Sequence, residues 1–450
     1  MRHTKGWAVC AALLFFGSYI GANGQAAFVM KPGDLANKYT QTTTRPPEGK
    51  NVESDKKAPP GGFDSIPYFE GSFETAGYGP TGAPQNKWYY SMAGQSPNEG
   101  ETTRFRSPVI PVSIELLAAD GTQGYYNGQP LYYDATQYVS AFVKSPVYRN
   151  SRYSSSQDPT QITDAIMRAE FLGRNGSDNG NGNQGGWRNW QGGGNQQQGG
   201  GQQQGDSGNW HTLLSPAVRD NYVMKIPYGY YYFAPNTDGS CCSFILVDYN
   251  TFGNLLIPPT TPDSTTAVGN AEITGEITTK DISTFLFPNT YLYFGTPGNC
   301  CVLGFHTYDN EAGTPQNGNL PRRYVLNYSS WISPGIFAGG IQDVTALSHE
   351  MAETFNDPFV ASDGIHNITP WWLSPNGNCQ DNLEVGDVIE GLPNDTYPVT
   401  IDGFAYHPQN EALLSWFEFQ SPSQAIDQAY SYPDESTLTA LSPVEPLNCQ

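Results

Sequence analysis

"ALSHEMAETFNDPF", residues 346–359, is the stretch on which both the fold and the chemistry turn. It sets His349, Glu350 and Glu353 in the order His-Glu-x-x-Glu, one residue away from the metal-binding His-Glu-x-x-His. At 100° per residue, Val344, Leu347, Met351 and Phe355 make an apolar stripe, with His349 and Glu353 stacked almost opposite. Asp343 or Thr345 is expected to cap the first turn. Pro358 is expected to end the helix, because the residue before a proline avoids helical backbone angles. Two donor side chains four apart on one helical face can grip one metal ion, with Glu350 beside them as general base. Zinc accepts carboxylate oxygen as well as imidazole nitrogen, so the second glutamate is compatible with it. The competing reading is the solvated polar face of an amphipathic helix, which shows the same pattern.

A metal site needs a further ligand. Downstream, "NCQDNLEVGDVIEG" (378–391) offers Glu384 and Asp387, one to bind the ion and the other to orient His349 from behind. The expected ligand set is His349, Glu353 and Glu384, with Glu350 as base and Asp387 as the orienting group. Asp357 can orient the chain after the helix. His306 and His366 are the remaining histidine candidates, each otherwise an ordinary strand or loop residue. The alternating carboxylates of an EF-hand calcium loop are missing, as is the Gly-x-Ser-x-Gly elbow of a serine hydrolase.

The start of the chain predicts export. Arg2 and Lys5 precede an apolar run from Trp7 to Ile20 and then the small residues of "GANGQAA", the layout of a secretory signal (1–24) cut after Gly24. No later stretch approaches the roughly 20 apolar residues of a membrane-spanning helix. With 22 basic and 43 acidic residues the formal net charge is -21, a surface that repels nucleic acid and anionic lipid.

Six cysteines follow the leader: Cys241, Cys242, Cys300, Cys301, Cys379 and Cys449. In an exported chain they predict disulfides, in any of 15 pairings. "GSCCSFILVDY" and "GNCCVLGFHTY" read as two strands whose Cys-Cys pairs are cross-linked to each other, with Cys379 joined to Cys449. Bridges within each pair would force a strained ring. The sequons at Asn175, Asn327, Asn367 and Asn394 are glycan acceptors if the source is eukaryotic.

Residues 25–100, rich in Pro, Gly and Tyr, read as an extended or disordered leader, and 421–450 as a tail. Between them lies one domain, 101–420, interrupted at 173–209 by a Gly/Gln/Asn-rich insertion that cannot bury enough apolar surface to order itself. "SPVIPVSIELLAADG" and "TQYVSAFVKSPVY" read as strands. "DPTQITDAIMRAEFLG" reads as a helix, with Ile162, Ile166 and Phe171 on one side. "YVMKIPYGYYYF", "CCSFILVDYNTF", "TFLFPNTYLYFG", "CCVLGFHTYDN" and "RRYVLNYSSWI" give further strands. Strands without a regular strand–helix alternation predict an α+β fold with a mixed or antiparallel sheet.

The segments "SPVY", "TDAIMRAEF", "WHTLL", "CCVLGFHTY", "SHEMAETFNDPF" and "LEVGD", in this order, resemble a family of secreted bacterial proteins. The same segments are more distantly similar to the plant Exordium (phosphate-induced) proteins of the cell wall. The likeness covers roughly 105–420 apart from the insertion. It implies an extracellular domain whose helix is similar to that of zincin metallopeptidases, with His349, Glu350, Glu353, Glu384 and Asp387 at the matching positions. The chain departs from that pattern at Ile389, where a cysteine is expected, and in "LLSWFEFQSPSQ", which lacks a "WSN"-like ending. Two functions follow as expectations. One is a secreted zinc-dependent hydrolase, a peptidase acting on extracellular protein or a cell-wall substrate. The other is a non-catalytic extracellular or wall-associated structural or binding protein.

Overall fold

Val109, Ile110, Val112 and Ile114 lie in the buried half of the fifteen-residue strand Thr102–Leu116, around which the main sheet is built. In the computed structural model the described residues are 62–75, 86–155, 158–171, 209–234, 243–259, 262–360 and 369–442. The expected secretory signal, most of the expected leader, the insertion apart from Asn209, Asn175, Asn367, His366, Cys241, Cys242 and Cys449 lie outside them.

In chain order the principal elements begin with β1 (Tyr68–Thr75), β2 (Asn86–Ala93), β3 (Thr102–Leu116), α1 (Thr136–Phe142) and α2 (Ile162–Phe171). Then come β4 (His211–Val218), β5 (Tyr222–Ile226), β6 (Tyr231–Ala234), β7 (Phe244–Asp248), α3 (Tyr249–Leu256) and α4 (Ala267–Thr274). β8 (Ile282–Pro288), β9 (Thr290–Tyr293), β10 (Cys300–Val302), β11 (Gly304–Glu311), β12 (Arg322–Trp331) and α5 (Thr345–Asn356) lead up to the segment that completes the site. The α+β expectation holds, with a mixed sheet.

The main sheet runs β11–β12–β8–β3, and the far side of β3 pairs first with β4 and then with β5. These pairings are parallel except that of β11, which runs antiparallel along β12 at one edge. A second sheet, β10–β9–β7–β6, lies beside it. α5 packs across β11 and β12, with α2 and β2 also against it. All twelve residues of α5 are buried, so its polar face is not a solvated one. The stripe of Val344, Leu347, Met351 and Phe355 joins the larger core cluster.

Four expectations are corrected. "TQYVSAFVKSPVY" contains helix α1, because Asp134 Oδ1 accepts from the Thr136 N–H and hydroxyl and starts a helical turn there. The packed structure begins well before residue 101: Phe69, Tyr90 and Met92 of the β1–β2 hairpin enter the core. At the other end Ile426, Tyr432 and Leu438 do the same, so 421–442 is part of the domain. Finally, Cys300 is bonded to its neighbour Cys301 rather than to the other pair. The peptide between them is cis, with Cα atoms 3.0 Å apart. Cys379 is disulfide-bonded, and its expected partner Cys449 lies outside the described residues. Asn327 is fully buried in β12, so a glycan there is incompatible with the fold.

Candidate metal centre

α5 supplies His349, Glu350 and Glu353, all at most 1% exposed. Neither expected cap is used in the expected way. Val344 precedes the helix without a side-chain cap, while Asp343 Oδ1 accepts from the Val344 and His407 N–H groups at 2.6 and 2.8 Å. The edge strand β11 faces the polar side of α5. Residues two apart on a strand share a face, and here these are Gly304 and His306. A Cβ at Gly304 would stand 2.6 Å from Glu350 Cγ, so glycine is what lets the helix come this close. From the other side, a Cβ at Gly386 would stand 2.5 Å from His349 Nδ1. Gly386 lies in the "LEVGD" turn, which carries Glu384 and Asp387 into the same region.

The two histidines have matching surroundings. His349 Nδ1 is 3.1 Å from Gln409 Oε1, and the Gln409 amide is held in that sense by its Nε2 donating to the Gly386 carbonyl at 2.8 Å. His349 Nε2 then points at Glu353 Oε1 (3.2 Å), Asp387 Oδ1 (3.5 Å) and Glu350 Oε1 (3.9 Å). His306 Nε2 lies 3.1 Å from the Asp357 carbonyl, and a carbonyl can only accept, so that nitrogen carries a proton. His306 Nδ1 points at Glu353 Oε2 (3.5 Å) and Glu350 Oε2 (3.6 Å). A far nitrogen fixed by an acceptor and a near nitrogen aimed among carboxylates is the arrangement of metal-ligating histidines.

The carboxylates are only partly satisfied. Glu353 Oε1 accepts from the Gly386 and Asp387 N–H groups at 3.1 and 3.3 Å, and Glu384 Oε1 from Asn382 Nδ2 at 2.6 Å. Asp387 Oδ2 accepts from Gln380, and its carbonyl from Asn376 and Asn378. Both oxygens of Glu350, the second oxygens of Glu353 and Glu384, and His306 Nδ1 are buried without a hydrogen-bond partner. Glu411 and Glu390 add two more buried carboxyls, and both oxygens of Glu411 lack a partner. Burying polar atoms unpaired is costly, and burying charge unpaired more so, so the cluster calls for a cation or for protons.

The pKa directions say the same. Burial pushes Glu350 up to about 7 against the pull of His349, and Glu390 up to about 8 with Asp387 adding to the effect. Glu384 and Glu411 are pushed well above the carboxylate range by burial, reinforced by Glu353 in both. Glu353 would rise on burial too, but His349 and His306 hold it below its ordinary value. Burial lowers both histidines, yet Glu353 and Glu350 at His349, and Glu384, Glu350 and Glu353 at His306, raise them well above the usual value. Protons thus compensate the charge where no metal does. The donor set, all nitrogen and carboxylate oxygen, fits zinc or another divalent transition ion.

The expected residues are therefore brought together, with their roles rearranged. Asp387 Oδ1 approaches the near nitrogen of His349, as a ligand would, while the orienting contact on the far nitrogen comes from Gln409. Glu384 groups with His306 and Glu353, their donor atoms lying within 4.8 Å of one another; His349, Glu350 and Glu353 form a second such group. Asp357 acts through its carbonyl, on His306. His306, Gln409 and Glu411 are the residues that sequence reasoning passed over or missed. The available signal was a histidine two residues after a glycine in an otherwise apolar strand. No family model, curated protein or solved structure matches the chain.

Proposed function

We propose that the protein is a secreted metal-dependent hydrolase, most simply a zinc peptidase acting on extracellular or cell-wall protein. The observation that carries the reading is the near nitrogen of His349, fixed by Gln409 and aimed at Glu353 and Asp387, with Glu350 alongside. His349 Nε2, Glu353 and Asp387 hold the ion. Bound there, zinc supplies Lewis acidity toward a carbonyl and lowers the pKa of water. Glu350 takes the proton of the attacking water and returns it to the leaving amine. Burial raises its carboxyl toward neutral pH in the metal-free protein, and a cation bound beside it would lower it again. The low-dielectric surroundings strengthen each of these interactions. Among the described residues no helix is long and apolar enough to cross a membrane.

A second reading, a structural ion in a non-catalytic extracellular protein, is favoured by the donors' near-complete burial, since a substrate must reach Glu350. One experiment separates the two. Metal content is measured on protein purified without added zinc, for wild type, His349→Ala and Glu350→Gln, followed by a peptidase screen. Metal lost in His349→Ala, together with activity present in wild type and abolished in Glu350→Gln, supports the hydrolase. Metal without any activity supports the structural ion. No metal, even when zinc is offered, overturns both.

A further inference from the structure

We infer that the centre holds two divalent cations, with Glu353 shared between them; this rests on the metal-site reading above and extends it. The first ion is the one already assigned to His349 Nε2, Glu353 Oε1 and Asp387. The second belongs to His306, Glu353 and Glu384, residues that each offer a donor atom within 4.8 Å of the others.

Three observations lead to the second ion. His306 Nδ1, Glu353 Oε2 and Glu384 Oε2 are each buried without a hydrogen-bond partner, on residues no more than 1% exposed. His306 approaches from β11 toward Glu353 Oε2, and its far nitrogen is fixed by the Asp357 carbonyl, so that it presents a lone pair to the group. Glu353 divides its two oxygens: Oε1 lies 3.2 Å from His349 Nε2 and Oε2 lies 3.5 Å from His306 Nδ1. A carboxylate spanning two imidazoles in this way is the bridge of a two-metal site, in which the ions sit roughly 3.5–4 Å apart.

Charge points the same way. The leading charged neighbours of these buried carboxyls are one another and the two histidines. Six carboxyls, of Glu350, Glu353, Glu384, Asp387, Glu390 and Glu411, are buried around the two groups, and a second dication would take the place of protons among them. In this arrangement Glu384 serves the second ion, and Glu350 stands between the two, with Oε1 toward His349 and Oε2 toward His306.

The test is stoichiometry. Full-length protein is stripped with chelator, loaded with zinc chloride, freed of excess metal and assayed for metal per chain, as wild type and as His306→Ala. The expected result is two ions in wild type and one in His306→Ala, with circular dichroism unchanged. One ion in wild type overturns the second site and leaves the single-ion hydrolase standing; none overturns both. Two ions retained in His306→Ala overturns the assignment of ligands. Should His306→Ala not fold, wild type loaded with manganese decides. An exchange-coupled electron paramagnetic resonance signal supports the shared Glu353, and the six-line spectrum of isolated manganese overturns it.

Discussion

At the scale of single residues, the centre depends on groups that hold the histidines rather than on the ligands alone. Gln409 accepts from His349 Nδ1 and donates through its side-chain amide to the Gly386 carbonyl, while its backbone N–H donates to the Ser348 hydroxyl oxygen. It fixes both the tautomer and the tilt of the ring. Gln409→Ala should therefore weaken zinc binding by roughly 10–100-fold, as loss of such outer partners does. Competition against a chromophoric chelator reads this directly, and unchanged affinity would remove Gln409 from the site. Gly386→Ala should act more severely, because its Cβ would lie 2.5 Å from the His349 ring inside a packed region. Overpacking of that kind costs about 1–3 kcal/mol of stability, measurable by denaturant titration, in addition to the lost metal. A tilted but present His349 distinguishes this variant from His349→Ala by partial recovery of binding at high zinc.

At the scale of elements, β11 carries a different chemistry on each face. Its even-numbered side holds Gly304 and His306 against α5; its odd-numbered side holds Asp309 and Glu311, grouped with Glu272 of α4. Burial raises Glu272 to about 9, with Asp309 and Glu311 adding to it, and raises Glu311 to about 7 against Arg322. An unfolded glutamate titrates near 4.5, so between that value and the raised one the native state keeps a proton that the unfolded chain has lost. Stability supplied by this face is then full at low pH and falls as pH rises through about 7 and toward 9. Glu272→Gln, neutral throughout, should flatten that part of the melting-temperature profile, and a profile parallel to wild type would refute the account. Much at this scale was legible in the sequence. β3, α2, the strands around the cysteines and α5 follow from alternation, helical period and Pro358. α1 was not, because "TQYVSAFVKSPVY" has the β-branched and aromatic content of a strand and its helix is decided by the Asp134 turn. The hairpin β1–β2 was hidden among Pro and Gly residues, whose composition does not reveal that Phe69 and Met92 find a core to enter. The site was half legible. His349, Glu350 and Glu353 lie on one period, whereas His306 and Gln409 reach them only through sheet topology and a long return of the chain, which no local pattern records.

At the scale of the whole molecule, the largest of three apolar clusters runs from Ile66 to Leu438, and α5 packs its apolar stripe into it while its carboxylates are buried on the other side, against β11. Such a core would ordinarily exclude charge. Placing six carboxyls there is tolerable where protons or cations are supplied, and cations that bind the native site but not the unfolded chain add their binding free energy to folding. Zinc at 100 times its dissociation constant contributes about 2.7 kcal/mol through one site. In a chain of this size a gain of that order moves the melting temperature by several degrees, at roughly 2–4 °C per kcal/mol for domains of 150–250 residues. Protein stripped by chelator at neutral pH should melt several degrees below the zinc-loaded form. His349→Ala should show most of that difference removed, and His306→Ala the part owed to the second ion. The pH dependence has a fixed sign: protons compete with metal for the same imidazoles and carboxylates, so the zinc-dependent increment should shrink as pH is lowered. Scanning calorimetry at several zinc concentrations checks both statements. A melting temperature indifferent to zinc in wild type would mean that the buried carboxyls are balanced by protons alone, and that the carboxylate face of α5 serves packing rather than a metal.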